Sequence, residues 1–357
     1  MKVAVGMSGG VDSSVAAALL KEEGHEVIGI CMKIWDGTPL IAGEYHACYG
    51  PDEVADIEDA RRIADHLGIP FYVIDLVKEY KATILDYFKG EYLVGRTPNP
   101  CIKCNQHIKF KALISKTHNS GVSFDFFATG HYARVEYCKE TKRYLIRKAK
   151  DLKKDQSYWL AFLSQEQLST VVFPLGDYVK GDVRDKALSF GLDTHDKPDS
   201  QDFFSGDYTQ LINVPPRPGP IMDKEGTVLG NHKGIWSYTI GQRKGLGISA
   251  EKPLYVVDIN EKENTVIVGF REDLAHSGLI AQDVNLIAVE NITDPMQVTM
   301  KIRYAQKAFE GQVSPLEDGT ARVKFKVPQL AVTPGQAVVF YDGEYVLGGG
   351  IIERGEG

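Results

Sequence analysis

The stretch that decides the fold is Gly6-Met7-Ser8-Gly9-Gly10-Val11-Asp12-Ser13-Ser14, which follows the apolar residues 2–5. Those apolar residues predict a buried strand, and the apolar spacing over 13–23 predicts a helix that ends at Gly24. Two adjacent glycines let the backbone turn tightly and approach a ligand closely. Because the amide groups at a helix start point toward an anion, this stretch predicts a phosphate-binding loop.

The residue order in this loop excludes two common nucleotide-binding motifs. It lacks the Gly-Lys-Ser/Thr of the Walker pattern and the three spaced glycines of the dinucleotide fingerprint. The hydroxyls of Ser8 and Ser13 are further donors to a phosphate, and Asp12 is a predicted Mg²⁺ ligand, since Mg²⁺ prefers a carboxylate beside phosphate oxygens. The alternative is an ordinary glycine turn with a serine cap, in which Asp12 only complements the helix dipole.

The rest of the first half alternates apolar runs with amphipathic segments. This alternation predicts a doubly wound α/β domain, with a parallel sheet covered on both faces and ligands beyond the carboxyl ends of the strands. The predicted strands are 26–32, 71–76 and 124–129, and the predicted helices are 53–67, 77–94 and 105–118, with a loop at 95–104.

The character of the sequence changes after about residue 200. Val214-Pro215-Pro216-Arg217-Pro218-Gly219-Pro220 breaks any helix, and the segments after it are short, β-rich and separated by Gly, Asp and Asn. We therefore predict a small middle domain and a C-terminal antiparallel β-barrel. The predicted domain limits are 1–206, 207–281 and 282–357.

Charge is unevenly distributed along the chain. The formal net charge is −7, which argues against a general nucleic-acid binder, yet residues 101–160 carry 13 Lys and Arg against 5 Asp and Glu. A concentrated basic region of this kind suits a phosphate backbone. Five irregularly spaced cysteines, no signal peptide and no apolar run of membrane-spanning length predict a cytoplasmic protein without a membrane partner.

Five further motifs, in order along the chain, carry a resemblance to a known family. They are Thr97-Pro98-Asn99-Pro100-Cys101-Ile102-Lys103-Cys104-Asn105, Ala128-Thr129-Gly130-His131-Tyr132-Ala133-Arg134, Lys153-Lys154-Asp155-Gln156-Ser157-Tyr158, Thr239-Ile240-Gly241-Gln242-Arg243-Lys244-Gly245-Leu246-Gly247 and Pro334-Gly335-Gln336-Ala337. The glycine-rich loop resembles the PP-loop of ATP pyrophosphatases, and the whole set resembles the bacterial tRNA-specific 2-thiouridylases (the MnmA/TrmU family). The resemblance covers residues 1 to about 352.

The resemblance implies an adenine nucleotide alpha hydrolase-like fold and an ATP-dependent sulfurtransferase that thiolates the wobble uridine of tRNA at C2, through adenylation of O2. It assigns ATP to Gly6, Met7, Ser8, Gly9, Gly10, Val11, Asp12, Ser13, Met32 and Gly130, and tRNA to His131, Lys154, Asp155, Gln156, Arg303, Tyr304 and Gln336. Asp12 and the nucleophile Cys104 are the implied catalytic residues.

Each of these assignments has a structural alternative. Cys104 lies before the predicted helix, where amide dipoles favour a thiolate, but a buried cysteine at a helix start would look the same. Met32 is equally compatible with the apolar core, and His131 with a structural hydrogen bond. The pair Arg303 and Tyr304 suits phosphate pairing plus base stacking, or an exposed strand end.

The sequence departs from the family at two positions. Cys101 stands where the family has an aspartate, and Phe204 stands where it has a second cysteine that usually takes up the persulfide sulfur. We therefore predict that Cys101, Cys104 and Cys48 hold a 4Fe–4S cluster that carries the sulfur, with Cys101 catalytic beside Cys104. The alternative is a simple dithiol of Cys101 and Cys104. The expected sulfur donor is a cysteine desulfurase, a sulfur-relay protein or inorganic sulfide.

Two other functions fit part of this sequence. A PP-loop synthetase that forms an amide or amidine on a small molecule would share the ATP loop, but it has no use for the basic region or for Cys104. A non-catalytic RNA-binding or sulfur-carrier protein would have no use for an intact loop from Ser8 to Ser13.

The substitutions Ser8→Ala and Asp12→Ala are each expected to abolish tRNA thiolation while tRNA binding survives. Each removes a group of the phosphate loop and leaves the basic region intact. Incorporation of labelled sulfur into tRNA and filter retention of tRNA measure the two effects separately. Undiminished thiolation in either variant would remove the ATP-pyrophosphatase assignment.

Overall fold

The N-terminal part of the chain folds around a five-stranded parallel sheet. The computed structural model describes residues 1–41, 47–193, 202–316 and 319–357. The first seven strands are β1 Lys2–Gly6, β2 Glu26–Lys33, β3 Phe71–Asp75, β4 Phe126–Thr129, β5 Ala133–Cys138, β6 Arg143–Lys148 and β7 Val171–Val172. The sheet has the order β3-β2-β1-β4-β7, with every neighbouring pair parallel.

Strand β1 is the centre of this sheet and is buried on both faces. Val3 and Val5 belong to one apolar core, and Ala4 belongs to another on the opposite face. The chain leaves β1 for β2 on one side and later returns to β4 on the other side. The gap between β1 and β4 is therefore a topological switch point, where ligands of such sheets bind. The predicted doubly wound α/β fold is confirmed.

Ten α-helical segments accompany the strands within the described residues. They are α1 Val11–Glu22, α2 Glu53–Leu67, α3 Val77–Tyr80, α4 Asp86–Leu93, α5 Pro100–Lys103, α6 Leu113–Asn119, α7 Ser157–Leu160, α8 Gln165–Leu168, α9 Lys180–Ser189 and α10 Thr209–Ile212. Two π-helical segments each join a pair of these helices into one longer helix: Lys81–Leu85 joins α3 to α4, and Cys104–Ala112 joins α5 to α6. No helix in the described part of the chain is long and apolar enough to cross a membrane.

The predicted loop at 95–104 is wrong at its end, because the helix begins at Pro100 rather than at Asn105. Proline is favoured in the first turn of a helix, where its missing N–H is not needed. The side chain of Asn99 caps this turn by accepting a hydrogen bond from the amide of Ile102 at 3.2 Å. Proline was interpreted as a loop residue when it was marking a helix start.

The middle of the chain forms a four-stranded sheet. Its strands are β8 Gly219–Met222, β9 Val228–His232, β10 Tyr255–Asn260 and β11 Thr265–Gly269, in the order β10-β11-β8-β9. Short 3₁₀ turns at Ile235–Ser237 and Arg271–Leu274 follow β9 and β11. Ile221, Val256 and Val266 are fully buried in the small core of this sheet.

The C-terminal part is a closed, six-stranded antiparallel β-barrel, as predicted. Its strands are β12 Ala275–Leu286, β13 Met296–Lys301, β14 Phe309–Pro315, β15 Ala321–Leu330, β16 Ala337–Asp342 and β17 Tyr345–Glu356. The order is β12-β15-β14-β13-β16-β17, and the pairing of β12 with β17 closes the ring. The predicted domain limit between 281 and 282 falls inside β12.

Two contacts fasten the barrel to the N-terminal domain. The hairpin of β5 and β6 extends the barrel sheet, with Arg147 paired to Tyr345 of β17. The side-chain amide of Gln336 donates to the carbonyls of Thr97 and Pro98 at 3.0 and 2.9 Å. The barrel therefore supports the segment that leads into the helix of Cys101 and Cys104.

Replacing Gln336 by alanine is expected to destabilise the protein by about 1–3 kcal/mol, because two half-buried carbonyls lose their donor. Chemical denaturation of the full chain measures this change. The matched control is Gln297→Ala, since Gln297 is exposed on β13. Equal stability of the two variants would show that the contact between Gln336 and the loop contributes nothing.

Candidate active site

A cleft of about 570 Å³ opens beyond the carboxyl ends of β1, β2 and β4. It contains most of the residues predicted to bind ATP: Gly6, Met7, Ser8, Gly10, Val11, Asp12, Ser13, Met32 and Gly130. It also contains Cys48, Cys101, His131, Lys154, Gln156 and Tyr304. Residues predicted to bind ATP, sulfur and tRNA therefore line the same cleft.

The glycine-rich loop has the close packing expected of a phosphate-binding loop. Gly9 has φ +70°, and a Cβ atom there would lie 2.5 Å from the carbonyl oxygen of Asp56. A Cβ atom on Gly130, at the end of β4, would lie 2.7 Å from the backbone nitrogen of Ser13. The Ser13 hydroxyl accepts from the amide of Ser8 at 3.2 Å. Only glycine permits these approaches, so the loop is held in one shape.

Asp12 is engaged by a lysine rather than arranged for a metal ion. The ammonium of Lys180, the first residue of α9, donates to both carboxylate oxygens of Asp12 at 2.8 Å. The hydroxyl of Tyr132 donates to the same carboxylate at 2.8 Å. These contacts do not fit the prediction that Asp12 holds Mg²⁺. Lys180 instead brings a positive charge to the edge of the loop.

The prediction that amide dipoles at a helix start activate Cys104 is wrong. Cys104 lies one turn inside the helix that begins at Pro100, and it is buried. Burial raises the pKa of Cys104 to about 11, while the charge of Lys109 acts in the opposite direction. Burial also raises the pKa of Cys101 well above its usual range. Both groups are protonated thiols at neutral pH.

The π-helical segment sets which side chains of this helix face the cleft. Cys101, Asn105 and Lys109 follow one another at intervals of four residues along the cleft wall. Such a segment within a helix is typical of functional sites. Asn105 is buried; its amide nitrogen donates to the carbonyl of Trp159 at 3.2 Å, and its amide oxygen has no partner among the described residues. That oxygen can accept a hydrogen bond from a ligand.

Lys109 is a cation that the sequence analysis missed. Burial acts to lower its pKa, but the thiols of Cys104, Cys48 and Cys101, which are negative when ionised, outweigh burial and raise it. Within the described residues, no carboxylate pairs with this ammonium. Lys109 is half-buried, and a partly desolvated cation beside three thiols favours an anionic sulfur species in the cleft.

Cys48 is brought to the same cleft by an unexpected pairing. Ala47 forms a parallel β-bridge with Asp202, and the amides of Cys48 and Tyr49 donate to the carbonyls of Asp202 and Phe203 at 3.3 and 2.8 Å. Protein surrounds the thiol and raises the pKa of Cys48, yet its side chain stays open to solvent through the cleft. The three residues before Asp202 in the family's segment, Asp199, Ser200 and Gln201, lie outside the described residues.

Phe204, which replaces the family's second cysteine, is a core residue here. It is buried and lies 6.4 Å from the ring of Phe203 and 6.3 Å from the ring of Tyr208. Phe88 packs against this aromatic group as well. The position therefore contributes packing and no chemistry.

The thiols do not assemble a metal site. In the ranges that the structure describes, no group of three or more His, Cys, Asp or Glu side chains is arranged to hold a metal ion. The iron–sulfur site at Cys48, Cys101 and Cys104 therefore stays a prediction, and no step of the chemistry below uses one.

Four of the predicted tRNA residues face the cleft, and they adjoin an aromatic pair. Tyr304 stacks on Trp159, with ring centroids 3.8 Å apart and an interplanar angle of 19°. His131 shares a hydrogen bond with Thr129 at 2.7 Å, and burial, together with the charge of Lys109, lowers its pKa well below 6.5. Its imidazole is neutral at physiological pH. Gln156 and Lys154 complete this side of the cleft.

Three predicted tRNA residues have structural contacts instead. Asp155 is buried and accepts from the backbone and hydroxyl of Ser157, so the prediction that it contacts tRNA is wrong for its side chain. Gln336 holds the loop at Thr97 and Pro98. The exposed Arg303 donates to Thr333 at 3.2 Å and to the carbonyl of Ala331. None of the three lines the cleft.

Lys109, Lys180 and Trp159 are the site residues that sequence reasoning missed. None of the three belongs to one of the sequence motifs quoted above. Lys180 is 168 residues from Asp12 along the chain, and a pattern confined to short windows does not detect such a pair. Lys109 lies two intervals of four residues after Cys101, and this spacing places both on one helix face only when the helix starts at Pro100.

Comparisons with known proteins agree with this geometry. A family described as tRNA methyl transferase HUP domain matches residues 1–204, its PRC-barrel domain matches residues 211–270, and an aminomethyltransferase beta-barrel domain matches residues 276–352. The tRNA-specific 2-thiouridylase MnmA of Endomicrobium trichonymphae is 48% identical over 356 residues, which are 99% of each chain. The chain belongs to the tRNA-specific 2-thiouridylase family.

Other relatives of this family match equally well. The MnmA protein of Acetivibrio thermocellus is 47% identical over 363 residues, again 99% of both chains. A solved 4-thiouridine synthetase–RNA complex with bound ATP covers 59% of this chain at 15% identity with a TM-score of 0.35, a likeness too weak to add to the assignment. The family description mentions methyl transfer, whereas the full-length relatives are 2-thiouridylases.

Within the basic region, the sequence predicts phosphate contacts from Lys148, Lys150, Lys153 and Lys154, and the structure retains three of these four lysines. Lys148 is half-buried beneath the ring of Tyr341 and donates to the carbonyl of Gly343 at 2.8 Å, so it belongs to the barrel contact. Lys150 and Lys153 are exposed, and Lys154 lines the cleft. Phosphate contacts are expected from these three.

Neutralising Lys150, Lys153 and Lys154 together is expected to weaken tRNA binding and to flatten its dependence on salt. Each lost phosphate contact lowers the slope of log K against log salt by about one unit. Filter binding across a salt series measures both quantities. The control neutralises Lys78, Lys81 and Lys262, which are exposed and do not line the cleft. If the two triple variants bind tRNA alike, the basic surface is merely solvated.

Proposed function

We propose that this protein is an ATP-dependent tRNA-uridine 2-sulfurtransferase that thiolates the wobble uridine. The observation that carries the proposal is that the glycine-rich loop, the thiols of Cys48 and Cys101 and a stacked aromatic pair open on one cleft. The full-length relatives named as tRNA-specific 2-thiouridylases support the same activity. A tRNA with one extruded base is the substrate that uses all three features.

ATP binds at the switch point with its phosphates on the loop. The amides that follow Ser8 and the hydroxyl of Ser13 face the phosphates, while Met32 and Gly130 face the adenosine. Lys180, held on Asp12, lies where positive charge can balance the departing pyrophosphate. The uracil O2 oxygen attacks the α-phosphate, which makes the C2–O bond labile.

The extruded uracil lies between the loop and the helix of Cys101. Trp159 and Tyr304 provide an aromatic surface beside it. Extruded bases are commonly bound by stacking on aromatic side chains. The unpaired amide oxygen of Asn105 can accept the N3–H of the uracil. The neutral imidazole of His131 adds no charge that would repel the lysines of this wall.

Sulfur reaches C2 on a thiol of this cleft. Since no group of three or more ligating side chains among the described residues is arranged to hold a metal ion, we propose persulfide chemistry in which Cys104 is one of the reacting thiols, with the sulfur supplied by an outside donor. A persulfide is more acidic than a thiol, so it is an anion at a pH where the thiol of Cys104 is not. Lys109 balances that negative charge.

Anaerobically purified protein should form 2-thiouridine from tRNA, ATP and a persulfide donor, and it should bind neither iron nor labile sulfide in stoichiometric amounts. Nucleoside analysis by mass spectrometry and metal analysis measure these two results. Loss of thiolation upon removal of iron would restore the cluster hypothesis. Exchange of pyrophosphate into ATP without any RNA would instead favour a small-molecule synthetase.

A further inference from the structure

The absence of a cysteine at position 204 leaves the sulfur relay without its usual acceptor, and the tertiary structure supplies a neighbour. The segment that carries Phe203 and Phe204 runs beside the segment that carries Cys48, joined by the β-bridge of Ala47 and Asp202 and by two backbone hydrogen bonds. The segment of Phe204 lacks the family's thiol, and the segment paired with it carries the thiol of Cys48. Both segments border the cleft, through Cys48 and Asp202.

We propose that Cys48 is the acceptor thiol that receives sulfur from the donor in this protein, and that Lys109 stabilises the anionic sulfur it then carries. This inference rests on the proposed thiolation and adds the identity of the sulfur-bearing residue. Cys101 and Cys104 then act after Cys48 rather than before it.

Accessibility separates Cys48 from the other cleft thiols. Its side chain is exposed, whereas Cys104 is buried and Cys101 is partly buried within its helix. A macromolecular or small persulfide donor must reach the acceptor with its own sulfur, so the exposed thiol is the one that it can meet. Cys31 and Cys138 are excluded, since Cys31 is buried within β2 and Cys138 lies in the β5–β6 hairpin, away from the cleft-lining residues.

The electrostatics of the cleft favour the same order of reaction. Negative charge on Cys48 raises the pKa of both Cys101 and Cys104, so ionisation of Cys48 keeps the other two protonated. Burial, Asp56 and Asp202 raise the pKa of Cys48, and Lys109 opposes them. His131 also faces Lys109 and stays neutral. Lys109 is thus the one nearby cation that acts on all three thiols within the described residues.

The chemistry balances with an external thiol as reductant. The Cys48 thiolate attacks the outer sulfur of the donor persulfide, the donor S–S bond breaks, and the donor leaves as a thiol. The outer sulfur of the Cys48 persulfide attacks C2 of the adenylated uracil, the C2–O bond breaks, and AMP leaves. Once Cys48 is no longer an anion, Lys109 favours the thiolate of Cys104, which attacks the sulfur of Cys48, so 2-thiouridine departs and a Cys48–Cys104 disulfide forms. The external thiol reduces this disulfide.

The test maps sulfur on the full chain. The protein is loaded with glutathione persulfide, alkylated and digested, and mass spectrometry is expected to find one extra sulfur atom on the peptide of Cys48. Adding tRNA and ATP without reductant should move that sulfur to uridine in a single turnover. Extra sulfur on Cys101 or Cys104 alone would overturn the proposal.

Two serine variants complete the test. Cys48→Ser is expected to lose thiolation by about a hundredfold or more, because a covalent nucleophile is removed, while it keeps tRNA-dependent pyrophosphate release. Cys138→Ser, the matched control, should behave like the wild type. Thiolation at the wild-type rate by Cys48→Ser would refute the role of Cys48, and so would loss of pyrophosphate release together with thiolation, which would show a structural role. If the wild-type protein itself forms no thiouridine, the proposed function fails instead.

Lys109→Met should lower persulfide loading of Cys48 at neutral pH, with recovery at higher pH, because loss of the cation makes the Cys48 thiolate harder to form. Lys109→Arg keeps the charge and should restore loading. Loading that does not depend on the charge at position 109 would remove Lys109 from the proposal.

Discussion

The approach of strand β4 to the glycine-rich loop is the constraint on which the rest of the site depends. Gly130 lies so close to the backbone of Asp12 and Ser13 that no side chain fits between them. This contact exists because β4 is the parallel neighbour of β1 across the switch point. It holds the loop beside the end of β4, so that His131 and Tyr132, the next residues, line the same cleft as the loop.

Burial and reactivity conflict along the helix of Cys101 and Cys104. The helix must pack against the sheet, and burial makes both thiols weak acids. The π-helical segment resolves part of this conflict, since it keeps Cys101, Asn105 and Lys109 in one row along the cleft. A half-buried ammonium without a carboxylate partner is stabilised by an anion in the cleft, and an anionic sulfur group on a neighbouring cysteine is such an anion.

The barrel contacts the segments around this helix at a few specific positions, several of which involve backbone atoms. A turn at Gly335 approaches Thr97 so closely that a Cβ atom would lie 2.7 Å from the carbonyl oxygen of Thr97. The Tyr158 hydroxyl donates to the carbonyl of Ala337 at 2.9 Å, and Tyr304 of the barrel reaches the cleft to stack on Trp159. The C-terminal domain therefore completes the cleft and supports the thiols as well.

The sequence by itself determined the elements whose signals are local. Continuous apolar runs predicted β1 to β4, two adjacent glycines predicted the phosphate loop, and β-rich segments after residue 200 predicted the barrel. The helix start at Pro100 was also local, but proline marks both loops and first turns, and only the surrounding structure distinguishes the two. That error placed Cys104 at a helix end and gave it the wrong electrostatic environment.

Only the tertiary structure decided which chemical groups meet. Lys180 reaches Asp12, Cys48 pairs with the segment of Phe204, and Lys109 faces Cys48 from a distant part of the chain as well as the two thiols of its own helix. It also removed Asp155, Gln336 and Lys148 from the predicted tRNA surface by giving them partners inside the protein. Charge and residue type can be counted along a chain, but pairing and burial depend on contacts between distant segments, which the packing of the sheet and the barrel creates.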